Sequence, residues 1–348
     1  MTGEATVERL LTAVKQRRER VNDAIAEDLP IEEPERLYKA SRYILDAGGK
    51  RLRPTAALLV AEALADVDPG SADYRRFPAL FDGEVDVLRA AVGLEVIQSF
   101  TLIHDDIMDD DDLRRGVAAV HRQYDAETAI LAGDTLYAKA FEFMTDTGSR
   151  PEYGLAATNR LARTCTRICE GQALDVEFES RTEVLPEEYL EMVELKTAVL
   201  YGASAAIPAT LLGADEETVE SLYCYGIDSG RAFQIQDDVL DLTVPSEELG
   251  KQRGSDLLGE KETLITLHAR QQGVDVDNLV DAETTEELTE EAVAEAVEIL
   301  EDAGSIAYAR SKAEELTARS KEHLDVLPDN EARGLLEDLA DYLITRGY

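Results

Sequence analysis

Cysteine is nearly absent from this 348-residue chain. Cys165, Cys169 and Cys224 make an odd count with no Cys-x-x-Cys pair, so no disulfide framework can be read from them. Cys165 and Cys169 share a helix face and are expected to be small buried hydrophobes. Positive charge is scarce as well: Lys+Arg 35 stand against Asp+Glu 73, a net charge of −38. That balance excludes nonspecific attraction to nucleic acid or to an anionic membrane, both of which need a basic face. It also repels itself in dilute buffer. At 1 M salt the Debye length shrinks to about 3 Å, so a protein built for a salt-rich cytosol is expected. No apolar leader follows Met1, and no charge-free apolar stretch is long enough to span a bilayer. A soluble cytoplasmic protein is the expectation.

Period-two alternation is missing too, and helical periodicity takes its place. Apolar spacing predicts helices over 7–26, 35–47, 54–65, 87–108, 126–145, 153–178, 190–212, 217–242, 291–300, 305–324 and 330–345. Gly48-Gly49 marks a C-cap, and Pro186 opens a first turn. Pro208 predicts a kink or break in the helix that contains it. Residues 66–86 and 244–259 read as loops, and 273–291 as acidic and poorly periodic. No linker, composition break or short repeat divides the chain. The expected fold is all-α, a single large helical bundle around a central cavity, with residues 1–348 as one domain.

The chemistry gathers at the ends of two of these helices. Gln98-Ser99-Phe100-Thr101-Leu102-Ile103-His104-Asp105-Asp106-Ile107-Met108-Asp109 is an apolar run that ends in carboxylates, followed by Arg114-Arg115. On a helix Asp105 and Asp109 lie one above the other, with Asp106 about 100° away. Two carboxylates about 6 Å apart repel by roughly 3 kcal/mol at an effective dielectric of 20, so the arrangement calls for a cation between them. Hard oxygen ligands suit Mg²⁺, which usually also holds a substrate phosphate, and the arginines fit the same anion. Gln234-Ile235-Gln236-Asp237-Asp238-Val239-Leu240-Asp241 repeats the Asp-Asp-x-x-Asp spacing after another apolar helix. The pair reads as two jaws of one metal–diphosphate clamp. The few basic residues cluster at Lys50-Arg51-x-Arg53, Arg114-Arg115, and Lys251, Arg253 and Lys261. A further group, Lys15 to Arg20, reads as a mixed-charge surface on the first helix.

Five motifs in order resemble the trans-isoprenyl diphosphate synthases of the polyprenyl synthetase family, of the short-chain archaeal geranylgeranyl or farnesyl type. They are Gly48-Gly49-Lys50-Arg51-Leu52-Arg53-Pro54, the first aspartate motif with Arg114-Arg115-Gly116, Lys196-Thr197, Phe233-Gln234-Ile235-Gln236-Asp237-Asp238, and Gly250-Lys251 through Gly254-Ser255-Asp256 to Lys261. Arg114 falls nine positions after Asp105, the shorter family register. That makes Asp109 the ligand and leaves Asp110 to Asp112 solvated.

The resemblance implies the isoprenoid synthase fold and head-to-tail condensation of isopentenyl diphosphate with an allylic diphosphate. It implies three Mg²⁺ ions on Asp105, Asp109 and Asp237, supported by Asp106, Asp238 and Asp241. Arg114, Lys196, Lys251 and Lys261 would hold the allylic diphosphate. Lys50, Arg53, Gln98 and Arg115 would hold the isopentenyl diphosphate. Thr197 and Gln234 would turn oxygen dipoles toward the developing cation beside Lys196. His104, His121, His268 and His323 are read as structural, and a homodimer is implied. Two departures stand out: Ala118-Ala119 before His121, and Gly259-Glu260-Lys261-Glu262, which loses a basic residue beside Lys261.

Product length is expected to be set at Phe100 and Thr101, five and four residues before Asp105, which lie roughly 6–7.5 Å deeper along the helix. Thr101 is only about 40° from Asp105 around the axis. Geranylgeranyl diphosphate (C20) is the expected product, with farnesyl diphosphate (C15) or a mixture as the alternative. A class I terpene cyclase would have no use for Lys50-Arg51-x-Arg53. A non-catalytic partner subunit tends to lose an aspartate cluster, and a Ca²⁺-buffering protein leaves the apolar helices unexplained.

Overall fold

In a computed structural model, the structure describes residues 3–178, 180–181, 183–245, 253–258, 261–282, 284 and 287–345. It is all-α apart from two hairpins of two-residue strands, Phe77–Pro78 with Glu84–Val85, and β3 (Leu113–Arg114) with β4 (Val117–Ala118). The helices are α1 (Gly3–Asp28), α2 (Glu35–Asp46), α3 (Leu52–Ala65), α4 (Val87–Met108), α5 (Val120–Gln123), α6 (Ala126–Thr145), α7 (Pro151–Phe178), α8 (Pro186–Val193), α9 (Val199–Leu212), α10 (Glu216–Thr243), α11 (Leu264–Gln271), α12 (Glu290–Asp302), α13 (Ser305–Glu322) and α14 (Glu331–Thr345). The chain divides into two compact units, each assembled from separate segments.

The first unit comprises Met1–Cys165, Ala203–Tyr223 and Leu324–Leu339. Its centre is α3 and α4. Both are apolar on nearly every side, which only a helix surrounded by protein can afford. Every side chain from Pro54 to Ala63 is buried. Gly93 lets α4 approach α6, because a methyl there would lie 3.4 Å from the Ala140 carbonyl oxygen. The expected mixed-charge surface on α1 is interrupted at Arg17, which is fully buried and paired with Glu62 of α3. Glu62 also accepts from Tyr74 Oη and, at 2.9 Å, from the Gly70 amide. One buried carboxylate thus ties α1 and the 66–76 loop to the core.

The second unit comprises Thr166–Gly202, Cys224–His323 and Ala340–Tyr348. Its core is built on Ile235 and Val239 of α10, Leu264, Ile265 and Leu267 of α11, Val293 and Leu300 of α12, and Ile306 and Leu316 of α13. Helix α11 has no counterpart among the expected elements; Thr263 caps it by accepting from the Thr266 amide at 3.2 Å.

Pro208 does not break its helix. Helix α9 continues through it to Leu212, and every residue from Tyr201 to Leu212 is buried. Packing on all sides outweighs the lost hydrogen bond. The irregularity lies earlier, in a π-helical turn at Glu194–Ala198 between α8 and α9. Cys165 is buried as expected, whereas Cys169 and Cys224 are exposed. Two stretches, α4 and Pro186–Leu212, are long and apolar enough to cross a membrane when up to two charges are allowed. Most of the 18-residue apolar window in each is buried inside the protein, 67% and 78% of it.

Candidate active site

In the first unit the site begins where α4 ends. Asp109 is its C-cap, with its amide donating to the Asp105 carbonyl at 2.8 Å. Asp106 faces inward and is buried. Burial pushes its carboxyl above the usual carboxylate range, and Arg114 opposes the shift. Arg114 donates from Nε to Asp106 Oδ1 at 2.6 Å and from Nη2 to Asp111 at 2.7 Å. Asp106 Oδ2 is buried with no hydrogen-bond partner among the described residues. An unsatisfied anionic oxygen in an all-carboxylate donor set fits a hard divalent cation, and Mg²⁺ needs only one or two protein carboxylates. Among the described residues no three His, Cys, Asp or Glu side chains already surround a metal position.

Of the later aspartates, Asp111 joins this corner through Arg114, whereas Asp110 and Asp112 are held by another arginine. Arg122 pairs with Asp110 and Asp112 at 2.8 Å each, and those side chains are 80% and 81% exposed. Arg114 is aimed by the β3–β4 hairpin, whose two-residue turn Arg115-Gly116 has φ of 54° and 77° at its two positions, as a type I′ turn requires.

The Gly48-Gly49 turn lies against this hairpin. Arg115 Nη1 donates to the carbonyls of Ile44, at 3.0 Å, and Gly48, and Nη2 reaches Glu95 at 3.3 Å. A methyl on Gly49 would sit 3.1 Å from the Arg115 guanidinium carbon. Lys50 is exposed at the end of this turn, and Arg53 is half-buried in the first turn of α3. Gln98 and Thr101 are half-buried on α4. Phe100 turns toward α6: its ring lies 4.8 Å from His104 and 5.1 Å from Tyr137, which stacks on to Phe141.

In the second unit Lys196 and Thr197 stand on the π-helical turn, a local widening that re-aims side chains and recurs at functional sites. Gly171 of α7 makes room for it, because a methyl there would lie 2.2 Å from the Lys196 nitrogen. Lys196 Nζ pairs with Asp175, one helical turn beyond Gly171. Thr197 Oγ1 donates to Gln234 Oε1 at 3.2 Å, and Gln234 Nε2 donates to Asp238 Oδ1 at 3.1 Å. The other Asp238 oxygen accepts from Tyr189, a fully buried phenol. Burial, then the nearby Asp256 charge, pushes Asp238 up to about 8.

Asp241 is buried and holds the following loop, with Ser255 Oγ at 3.0 Å on one oxygen and the Asp256 amide at 3.2 Å on the other. Lys261 is exposed, 3.6 Å from Asp256. Asp237 is half-buried on α10. Lys251 lies outside the described residues. Within the second unit, then, Thr197, Gln234 and Asp238 share one polar network, and Lys196 next in sequence is paired with Asp175. Within the first, Asp106 and Arg114 meet directly, and Arg115 braces the turn that carries Lys50.

Sequence reasoning missed Asp175, Tyr189 and Glu95. Asp175 had a readable signal, since a glycine and an acid four apart on one helix face mark close approach beside a cation. Glu95 did too: it is a lone carboxylate within an apolar run, and such a charge is rarely buried unless paired.

The family pattern "Polyprenyl synthetase" matches residues 34–300. A geranylfarnesyl diphosphate synthase of Natronomonas pharaonis is 67% identical over 97% of this chain and 98% of its own length. The solved geranylgeranyl pyrophosphate synthetase of Geoglobus acetivorans superposes with a TM-score of 0.84 at 44% identity, covering 96% of this chain and 99% of that one. A polyprenyl synthase of Caulobacter crescentus, solved with calcium and isoprenyl diphosphate, gives 0.82 at 30% identity, with 98% of each chain covered.

Proposed function

As the chain belongs to the polyprenyl synthetase family and is a prenyl diphosphate synthase, we propose that it joins C1 of an allylic diphosphate to C4 of isopentenyl diphosphate, with loss of inorganic diphosphate and of the C2 proton. The departing diphosphate is the proton acceptor, so no side-chain base is required. The observation that carries this reading is the pair of aspartate corners, each ending an apolar helix and each set beside cationic or amide side chains. We assign each corner to diphosphate binding, with residues 1–348 acting as a single functional domain.

Mg²⁺, three ions per site by family resemblance, supplies the charge neutralisation that lets the diphosphate leave. Asp105, Asp109 and Asp237 are its ligands, and Asp106, Asp238 and Asp241 support them. Arg114, Lys196, Lys251 and Lys261 grip the allylic diphosphate. Lys50, Arg53, Gln98 and Arg115 bind the isopentenyl diphosphate without a metal. Thr197 and Gln234 form a fixed dipole pair beside the allylic carbon. Such a pair needs no reorganisation as positive charge develops there.

Geranylgeranyl diphosphate (C20) is the product, with farnesyl diphosphate (C15) or a mixture as the alternative. The Natronomonas relative favours geranylfarnesyl (C25) as the second reading. Phe100 is engaged with α6, which leaves the smaller Thr101 on the Asp105 side of α4. The exposed apolar side chains Ile130, Leu131 and Tyr137 of α6, with Leu155 of α7, support a homodimer. The acidity, −38 overall, supports a salt-rich cytoplasm.

Incubating purified protein with Mg²⁺, isopentenyl diphosphate and each allylic diphosphate in turn, then identifying the prenyl chain by mass, tests the whole reading. Elongated prenyl diphosphates are expected. Cyclic hydrocarbon, or no product at all, would overturn it.

A further inference from the structure

Two arginines of the first unit adopt left-handed backbone conformations, Arg51 with φ 53° and Arg115 with φ 54°. A non-glycine side chain there is strained and persists only where its surroundings hold it. Both donate to the same oxygen, Oε1 of Glu95. Glu95 lies on α4, ten residues before Asp105, and is 3% exposed.

Arg51 is fully committed. Beyond Glu95 it reaches Asn22 Oδ1 at 3.0 Å and the Leu45 carbonyl at 2.6 Å. Together with the bonds from Arg115 to Ile44 and Gly48, this puts two guanidiniums on the C-terminal carbonyls of α2. Cations are favoured at that end of a helix dipole. They also repel each other: burial, and after it the Arg51 charge, lowers the Arg115 guanidinium below its ordinary range, and Glu95 opposes both.

We infer that Glu95 is a positioning residue for isopentenyl diphosphate, clamping the 48–51 and 113–116 turns so that Lys50, Arg53 and Arg115 present their charges in one fixed arrangement. Lys50 precedes one left-handed residue, Arg53 follows it by two, and Arg115 is the other. Removing the shared carboxylate releases both strained residues at once and leaves two like charges face to face. The inference rests on the assignment of Lys50 and Arg53 to isopentenyl diphosphate proposed above.

The test is steady-state kinetics of Glu95→Gln in the full-length protein, with Lys50→Ala alongside. Glu95→Gln is expected to raise KM for isopentenyl diphosphate by about tenfold or more, the scale of losing a charged hydrogen bond. KM for the allylic diphosphate, and kcat with both substrates saturating, stay within about twofold of the parent. An unchanged KM for isopentenyl diphosphate overturns the inference, as does an equal rise in both KM values accompanied by a fall in Tm. Should Lys50→Ala leave that KM unmoved, the binding assignment itself is wrong, whatever Glu95→Gln does. If Glu95→Gln does not fold, Arg51→Gln/Glu95→Gln removes both buried charges while Arg115 still loses its anchor. A parental KM for isopentenyl diphosphate in that double variant likewise overturns the inference.

Discussion

A methyl group on Gly171 would lie 2.2 Å from the backbone nitrogen of Lys196, so α7 and the π-helical turn touch main chain to main chain. No rotamer change relieves such a contact, because the atom in the way is backbone. Gly171→Ala is therefore expected to shift the turn and cost about 1–3 kcal/mol of stability, as overpacking does. Lys196 and Thr197 move with it. Differential scanning calorimetry and turnover measured together check this: both Tm and kcat fall, and a Tm equal to the parent's refutes it.

Asp105→Ala and Asp237→Ala are each expected to reduce turnover by roughly 100- to 1,000-fold or more, the scale of losing one preorganised electrostatic contact. Circular dichroism is expected to stay parental, since neither carboxylate is part of a buried core. Parental turnover in either variant refutes the clamp.

Much of this was visible before any coordinates. Apolar helices that end in carboxylates can be read because the helical period fixes which acids share a face, as with Asp105 and Asp109. Motif spacing reads Asp110 to Asp112 as solvated; Asp110 and Asp112 are exposed, whereas Asp111 is 45% exposed and pairs with Arg114. Pairings such as Arg17 with Glu62, 45 positions apart, leave no periodic trace, so Arg17 looked like one more surface charge. The π-helical turn was equally hidden. It packs against a glycine on another helix, whereas Pro208, the visible breaker, sits where packing overrides it. Depth along α4 alone points to Phe100, and depth says nothing about the aromatic row on α6.

Chain length offers a sharper test of that geometry. Thr101→Phe is expected to stop elongation at least one isoprene unit earlier, and Phe100→Ala to admit longer chains, both read by chromatography of dephosphorylated products. An unchanged profile in both variants excludes α4 as the floor of the chain-binding space.

The net charge of −38 predicts a strong salt dependence. Between dilute buffer and multimolar KCl, Tm is expected to rise by roughly 4 °C, the shift that about 3 kcal/mol produces in a protein of this size. Equal Tm values in the two media exclude an adaptation to salt.

Not every charge responds to the medium. Arg17 and Glu62 have 1% and 0% of their side chains exposed, out of reach of dissolved ions. As the brine is diluted and surface acids begin to push one another apart, this fastening keeps its strength. The amino-terminal helix will be among the last parts to detach, and dilution will loosen the molecule from its acidic outside inward.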